Sequence, residues 1–181
     1  MKIDLFPVSI YHYHVAESDV LCQRVIDFYA KSKDRETPEG WNCNLFTTFG
    51  TGDFGIGEIF NFIRPCLDEF MLENKFEGSC SFTDAWLNCY DTNNWQEKHS
   101  HLPGQWSAIY YAILEPGEHQ GTIFYDPNED LRMAVSKQLH NTVTSVVQEG
   151  DLILFPSWLH HAAPVNKSSY MRATISFNME I

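Results

Sequence analysis

Apolar residues in the N-terminal part of the chain recur with helical spacing in two segments. We expect helices over about residues 18–33 and 56–74. Pro65 in the second segment should kink that helix or split it in two, because proline lacks a backbone donor. Residues 2–15 and 42–49 alternate loosely between apolar and polar side chains, and this alternation predicts two short strands.

From residue 79 onward the pattern changes to short strand-like runs separated by turn-forming residues. Closely spaced runs of this kind are typical of an antiparallel sandwich or barrel of the jelly-roll type. We therefore predict a mainly β fold with flanking helices: a double-stranded β-helix, with the two N-terminal helices packed on one sheet. Residues 1–181 should form a single domain with its β-helix core at about 79–181. The strand-like runs are 79–90, 105–115, 121–126, 142–148, 151–156, 159–165 and 171–179.

Composition restricts the classes of function. With 44% hydrophobic and 14% aromatic residues, the chain has enough apolar surface for a folded core. Its formal net charge of −12 argues against nucleic acid as a partner, because nucleic-acid binding needs a basic surface. We expect no membrane association, since no apolar run reaches the roughly 18 residues of a membrane span and the N-terminus lacks a signal-peptide pattern. The five cysteines show no metal-binding spacing and predict reduced thiols in a cytoplasmic protein.

Candidate chemistry is concentrated in two groups of histidines. His99 and His101 are separated by one residue, so on an extended segment both imidazoles face the same side. A third imidazole from the later pair, His160 and His161, would complete a facial set of three metal ligands. Only one of that pair can face inward, and the shorter interval to Arg172 favours His161. Such a set leaves coordination positions open for a substrate and dioxygen, so the pattern points to iron-dependent oxygenation.

Arg172 lies on a predicted strand whose polar residues share one face and whose apolar residues share the other. The strand offers no acidic partner nearby, and a buried polar group without a partner costs free energy. A planar guanidinium matches a carboxylate through two parallel hydrogen bonds. We therefore predict that Arg172 binds the carboxylate of a cosubstrate. The polar face consists of Arg172, Thr174, Ser176 and Asn178.

Three motifs, His99-x-His101, FPSWLHHAAP and MRATISFN, resemble those of the 2-oxoglutarate/Fe(II)-dependent oxygenase superfamily. The resemblance covers about residues 79–181 and implies a double-stranded β-helix enzyme that uses Fe(II), 2-oxoglutarate and dioxygen. The FPSWL-x-H spacing of these proteins also favours His161 over His160. The implied metal ligands are His99, His101 and His161.

The same resemblance implies roles around the cosubstrate. Arg172 would bind the far carboxylate of 2-oxoglutarate. Tyr111, the second residue of a Tyr-Tyr pair, and Tyr90 match tyrosines that are common near this site in prolyl-hydroxylase-like members. Asn88 would hydrogen-bond the cosubstrate or orient a ligand. The reaction would be hydroxylation of a protein side chain, a peptide or a small metabolite.

One departure from the superfamily leaves alternatives open. Its members usually have His-x-Asp or His-x-Glu, whereas this chain has His99-Ser100-His101. Either His101 replaces the carboxylate or another group completes the site. Three-histidine iron sites occur in cupin-type dioxygenases that do not use 2-oxoglutarate, and a non-catalytic metal-binding β-sandwich is the second alternative. The segments 91–98 and 127–141 are predicted to contact the substrate, because long connections on a rigid scaffold carry specificity.

Overall fold

The computed structural model of the chain describes residues 7–15, 18–32, 37–52, 54, 57–130, 134 and 141–181. Within these ranges the chain forms two long helices and a series of antiparallel strands. In chain order the elements are β1 (Tyr11–His14), α1 (Ser18–Ser32), β2 (Phe46–Thr47), α2 (Gly57–Glu73), β3 (Ser81–Tyr90), β4 (Gln96–His99), β5 (Trp106–Ile113), β6 (Ile123–Tyr125), β7 (Thr142–Thr144), β8 (Asp151–Pro156), β9 (His161–Ala163) and β10 (Arg172–Glu180).

The strands form two antiparallel sheets. The larger sheet has six strands in the order β1-β8-β5-β10-β3-β2, and the smaller has four in the order β4-β9-β6-β7. Neighbours in these orders are mostly distant in sequence, as expected for a jelly roll rather than a meander. The predicted double-stranded β-helix is therefore confirmed.

The two helices cover the outer face of the six-stranded sheet. Asp19 in the first turn of α1 and Lys31 in its last turn complement the helix dipole. In α2, residues Ile59, Ile63 and Leu67 repeat every four positions and are fully buried. These side chains join one apolar cluster with Leu87, Ala108, Tyr110, Leu152, Ile175 and Phe177 of the sheet. Neither helix is long and apolar enough to cross a membrane.

A second apolar cluster lies between the two sheets. Residues whose side chains point inward from the large sheet, such as Ile109, Ile153 and Phe155, pack there against Phe124 of the small sheet. Because strand side chains alternate, the inward faces of β3, β5 and β10 also point their polar residues into this interior. The cleft between the sheets is consequently where polar side chains become buried.

Several predicted elements differ in detail from the structure. Strand β4, at Gln96–His99, was expected as part of a connecting segment at 91–98, so that connection is shorter than predicted. Helix α2 continues through Pro65, so the predicted division into two helices is wrong. The 42–49 strand is reduced to two residues, and most of the 127–141 segment lies outside the described residues.

Candidate metal centre

Three imidazoles converge between the two sheets. Strands β4 and β9 pair antiparallel with His99 directly opposite His161, and their rings lie 4.3 Å apart. The ring of His101, just beyond the end of β4, lies 5.2 Å from that of His99 and 4.9 Å from that of His161. One ligand atom of each histidine falls within 4.8 Å of the others. This set could hold one metal ion.

Two of these imidazoles are oriented by backbone carbonyls. Nδ1 of His99 lies 2.7 Å from the carbonyl oxygen of Glu97, and Nδ1 of His161 lies 3.0 Å from that of Leu159. A carbonyl can only accept, so each Nδ1 carries the proton and donates it. Both Nε2 atoms then keep their lone pairs, which is how histidine ligands are normally prepared for a metal.

The third imidazole is oriented by side chains of the large sheet. Nδ1 of His101 lies 2.9 Å from Oδ1 of Asn178 and 2.8 Å from Oγ of Ser107. Ser107 also contacts the hydroxyl of Ser157, and the backbone N–H of His101 donates to the Ser157 carbonyl at 2.8 Å. Although His101 lies outside a strand, its ring is therefore fixed with Nε2 left as the unprotonated nitrogen.

Burial keeps all three histidines uncharged. It lowers the pKa of His99, and it lowers the pKa of His101 to about 4. The pKa of His161 lies well below its ordinary value, again chiefly through burial and then through the neighbouring histidines. The imidazoles are thus neutral at physiological pH, the protonation state that metal binding requires.

Arg172 reaches the same interior from β10. Its side chain is only 3% exposed. One Nη atom donates to the carbonyl of Gln120 at 2.9 Å, the other donates to that of Pro164 at 3.3 Å, and Nε has no partner. No ion pair among the described residues involves this guanidinium. Burial lowers its pKa without removing its charge, so a buried cation remains without a carboxylate.

One cavity joins the three histidines to Arg172. The Tyr90 ring lies 4.3 Å from the guanidinium carbon of Arg172, and the Tyr90 hydroxyl donates to Gln96 at 2.9 Å. The Tyr111 hydroxyl contacts that of Thr122 at 2.7 Å. Asn88 also lines the cavity, and its buried Oδ1 has no partner. The walls thus combine a cation, hydroxyl groups and an unused amide oxygen.

Comparison with known proteins identifies the family. The model of the family described as "Putative 2OG-Fe(II) oxygenase" matches residues 84–178, which is more than half of the chain. The chain belongs to the 2-oxoglutarate/Fe(II) oxygenase family. No curated protein sequence matches it closely enough to add to this picture.

Several solved structures have a similar fold at low sequence identity. The viral collagen prolyl hydroxylase vCPH from Paramecium Bursaria Chlorella virus-1 aligns with a TM-score of 0.61 and 16% identity over 94% of both chains. A prolyl-4-hydroxylase from Pseudomonas putida gives 0.65 and 11%, over 96% of this chain and 92% of that chain. EctD from S. alaskensis gives 0.68 and 13%, over 96% of this chain and 73% of that chain.

The chemistry of these residues suits the iron and 2-oxoglutarate that the family uses, and the cavity, about 20 Å³ in this structure, must widen to admit the cosubstrate. Three neutral imidazoles with oriented Nε2 atoms are suitable ligands for Fe(II). The guanidinium of Arg172 has no negative partner in the cavity. The distal carboxylate of 2-oxoglutarate would supply that negative charge, so the two groups suit each other. The donor set is entirely imidazole, without the carboxylate of a His-x-Asp or His-x-Glu motif.

The structure brings every residue selected from the sequence to this cavity. His160, the histidine not selected as a ligand, is exposed, and its carbonyl oxygen accepts a hydrogen bond from the Tyr125 N–H at 2.9 Å. Tyr110 points to the opposite face of β5 and joins the apolar cluster under the helices. The residues gathered in the cavity are His99, His101, His161, Arg172, Tyr90, Tyr111 and Asn88.

Several supporting residues were not predicted as part of the site. Ser107 orients His101, Thr122 holds the Tyr111 hydroxyl, and Gln96 accepts from Tyr90. Each is a common polar residue with no distinctive spacing to the histidines. Asn178 was placed on the polar face of its strand, yet nothing in the sequence connects it with His101. Only the pairing of β10 with β3 and β5 does so.

Proposed function

We propose that this protein is an Fe(II)- and 2-oxoglutarate-dependent dioxygenase that hydroxylates a C–H bond, with His99, His101 and His161 as the iron ligands. The observation that carries this proposal is one cavity containing three oriented, neutral imidazoles and a buried, unpaired guanidinium. A metal explains the imidazoles, and an anionic cosubstrate explains Arg172.

The side chains around the cavity have separate tasks in this proposal. Arg172 binds the distal carboxylate of 2-oxoglutarate with the N–H groups that the Gln120 and Pro164 carbonyls leave free. The Tyr90 ring supports the guanidinium plane through a cation–π contact. The Tyr111 hydroxyl can turn from Thr122 toward the cosubstrate. Asn88 provides a polar contact in the same cavity.

Bound iron and 2-oxoglutarate supply the oxidising chemistry: dioxygen and the substrate C–H bond are converted to a C–OH group, with succinate and carbon dioxide as coproducts. The chain contributes positioning and exclusion of water. Trp86, Ile109 and Ala162 form apolar parts of the cavity wall. They limit the water that could reach the metal from the interior of the fold.

The two alternatives are less consistent with these contacts. A cupin-like dioxygenase without 2-oxoglutarate would leave the buried cation of Arg172 without a function. A structural metal site is normally closed by four protein ligands. Among the residues that the structure describes, only three histidines form a metal-binding group.

The proposal also includes the class of substrate and the cellular compartment. The net charge of −12 disfavours nucleic acid as a substrate. All five cysteines are unpaired, as expected for a protein of a reducing compartment such as the cytoplasm.

Succinate formation tests the proposal. Purified protein with Fe(II), oxygen and 2-oxoglutarate should produce succinate, even slowly without a prime substrate. The His161→Ala variant should not, whereas His160→Ala should behave like the wild type. Iron binding without succinate formation or 2-oxoglutarate binding would favour the cupin-like alternative.

A further inference from the structure

A second opening, a groove, reaches two of the three histidines. This groove has a volume of about 540 Å³, within the size range of small-ligand sites, and His99 and His101 form its inner end. Arg172 does not line it. A prime substrate could therefore approach the metal ligands here while 2-oxoglutarate occupies the cavity beside Arg172.

A continuous aromatic wall leads from the groove surface to the metal ligands. The ring of Trp41 lies 5.4 Å from that of Phe49, which lies 5.1 Å from that of Trp86. Trp86 in turn lies 5.3 Å from the ring of His101. Phe49 is 38% exposed, although large aromatic residues are normally buried. Such a wall suits an aliphatic chain, and its ring faces also attract cations.

The charges in the groove are all negative. Asp84, Glu97 and Glu180 line it, and its described lining includes no lysine or arginine. Lys98, which follows Glu97 in the sequence, lines a different groove. Its ammonium group lies 4.5 Å from the centre of the Tyr125 ring. The groove consequently favours a cationic ligand.

Two residues that line the groove have buried polar atoms without partners; Trp86 also lines the Arg172 cavity, and Glu97 also lines a neighbouring groove. Trp86 is 3% exposed, and its Nε1–H donates to no acceptor. The Glu97 carboxylate lies beside the Cys43 thiol, which donates a hydrogen bond to it, but its buried Oε2 has no partner. Since buried polar atoms are nearly always paired, a ligand is the natural source of the missing partners. Trp86 requires an acceptor oxygen, and Glu97 requires a donor.

We propose that this groove binds the prime substrate and that the substrate is a basic amino acid, lysine or arginine, either free or within a polypeptide. Its aliphatic stem packs on the wall formed by Trp41, Phe49 and Trp86, and its charged end pairs with Glu97. A carbonyl or carboxylate oxygen accepts from Trp86 Nε1. This inference rests on the proposed function, because it assigns the substrate of the same metal centre.

Calorimetry under nitrogen tests the inference with defined probes. Protein loaded with Fe(II) and 2-oxoglutarate is titrated with Nα-acetyl-lysine N-methylamide and with its uncharged counterpart, Nα-acetyl-norleucine N-methylamide. The lysine probe should bind about tenfold more tightly or better, because a charge-assisted hydrogen bond contributes at least that much. Free lysine distinguishes the two sources: tighter binding of free lysine indicates a metabolite, and tighter binding of the blocked form indicates a polypeptide.

Matched variants locate the charge effect. Glu97→Gln keeps the shape of the side chain and should remove most of the preference for lysine, and Trp41→Leu should weaken both probes. Glu118→Gln makes the same charge change on an exposed residue of a different groove and should change neither affinity. Asp84→Asn, at an exposed position, provides a second test if Glu97→Gln does not fold.

Two results would overturn the inference: equal binding of the lysine and norleucine probes, or identical affinities in Glu97→Gln and Glu118→Gln. Each experiment begins with a titration of the protein with 2-oxoglutarate. This titration distinguishes a wrong substrate assignment from a wrong proposed function. Protein that binds 2-oxoglutarate but does not prefer lysine contradicts only the substrate assignment.

Discussion

Replacing Arg172 by leucine should abolish tight binding of 2-oxoglutarate while leaving the iron site in place. The guanidinium uses one N–H on the Gln120 carbonyl and one on the Pro164 carbonyl. Three of its five N–H groups remain, including that of Nε, which has no partner. Two of these can bind one carboxylate, and no other lysine or arginine of the described residues lines this cavity.

The size of the effect follows from those two hydrogen bonds. Each charge-assisted bond contributes about 1.5–3 kcal/mol, so their loss amounts to about 3–6 kcal/mol, or roughly a 10²- to 10⁴-fold increase in Kd. Leucine also forces the distal carboxylate into a buried site without a counter-charge, which favours the upper part of that range. Arg172→Lys keeps the charge but loses the planar fork, so its affinity should lie between those of the wild type and the leucine variant.

The assay is calorimetric titration of Fe(II)-loaded protein with 2-oxoglutarate under nitrogen, together with iron analysis of each variant. Arg64→Leu is the matched control, because Arg64 lies on the exposed side of α2 and pairs with Asp68 at 2.8 Å. It should bind 2-oxoglutarate like the wild type. Unchanged affinity in Arg172→Leu, with normal iron content, would refute the assignment of the cosubstrate to this guanidinium.

Three further predictions concern the histidines. His161→Ala should lose iron and His160→Ala should retain it, as measured by equilibrium dialysis; equal losses would contradict the choice between them. Asn178→Ala should lower iron affinity about 10- to 100-fold, because it removes an acceptor that orients His101, and an unchanged dialysis curve would contradict this role. Because burial lowers the pKa of His101 from 6.5 to about 4, the unfolded chain binds more protons than the metal-free folded protein between these pH values. Urea denaturation of metal-free protein should therefore show the free energy of unfolding falling as pH decreases through this window, by about 1.4 kcal/mol per pH unit from this residue; a flat profile would contradict it.

The sequence was most informative where periodicity and rare residues coincided. The alternation along 171–179 correctly separated the apolar face of β10 from the polar face that carries Arg172. The i, i+2 spacing of His99 and His101 predicted their convergence, although β4 ends at His99 and His101 is positioned by the Ser157 backbone instead. The predicted convergence of His99 and His101 is therefore correct, although His101 lies outside the strand that the prediction assumed.

Other parts of the site depend on contacts that no local pattern encodes. The sequence of β4 predicts a polar connection, because the segment is short and contains Glu97 and Lys98. It forms a strand because it pairs with β9. Propensity for β structure depends strongly on such tertiary context. The groove with Trp41 and Phe49 likewise joins residues from separate elements, and its negative charge becomes visible only when they are assembled.

The most direct test of the proposed iron and 2-oxoglutarate site is an anomalous diffraction map, recorded at the iron edge, of crystals grown with Fe(II) and 2-oxoglutarate under nitrogen. We expect a single strong iron peak bound by Nε2 of His99, His101 and His161, with 2-oxoglutarate on the metal and its distal carboxylate on Arg172. An iron peak bound by a carboxylate side chain of this chain, or 2-oxoglutarate bound away from Arg172, would contradict it.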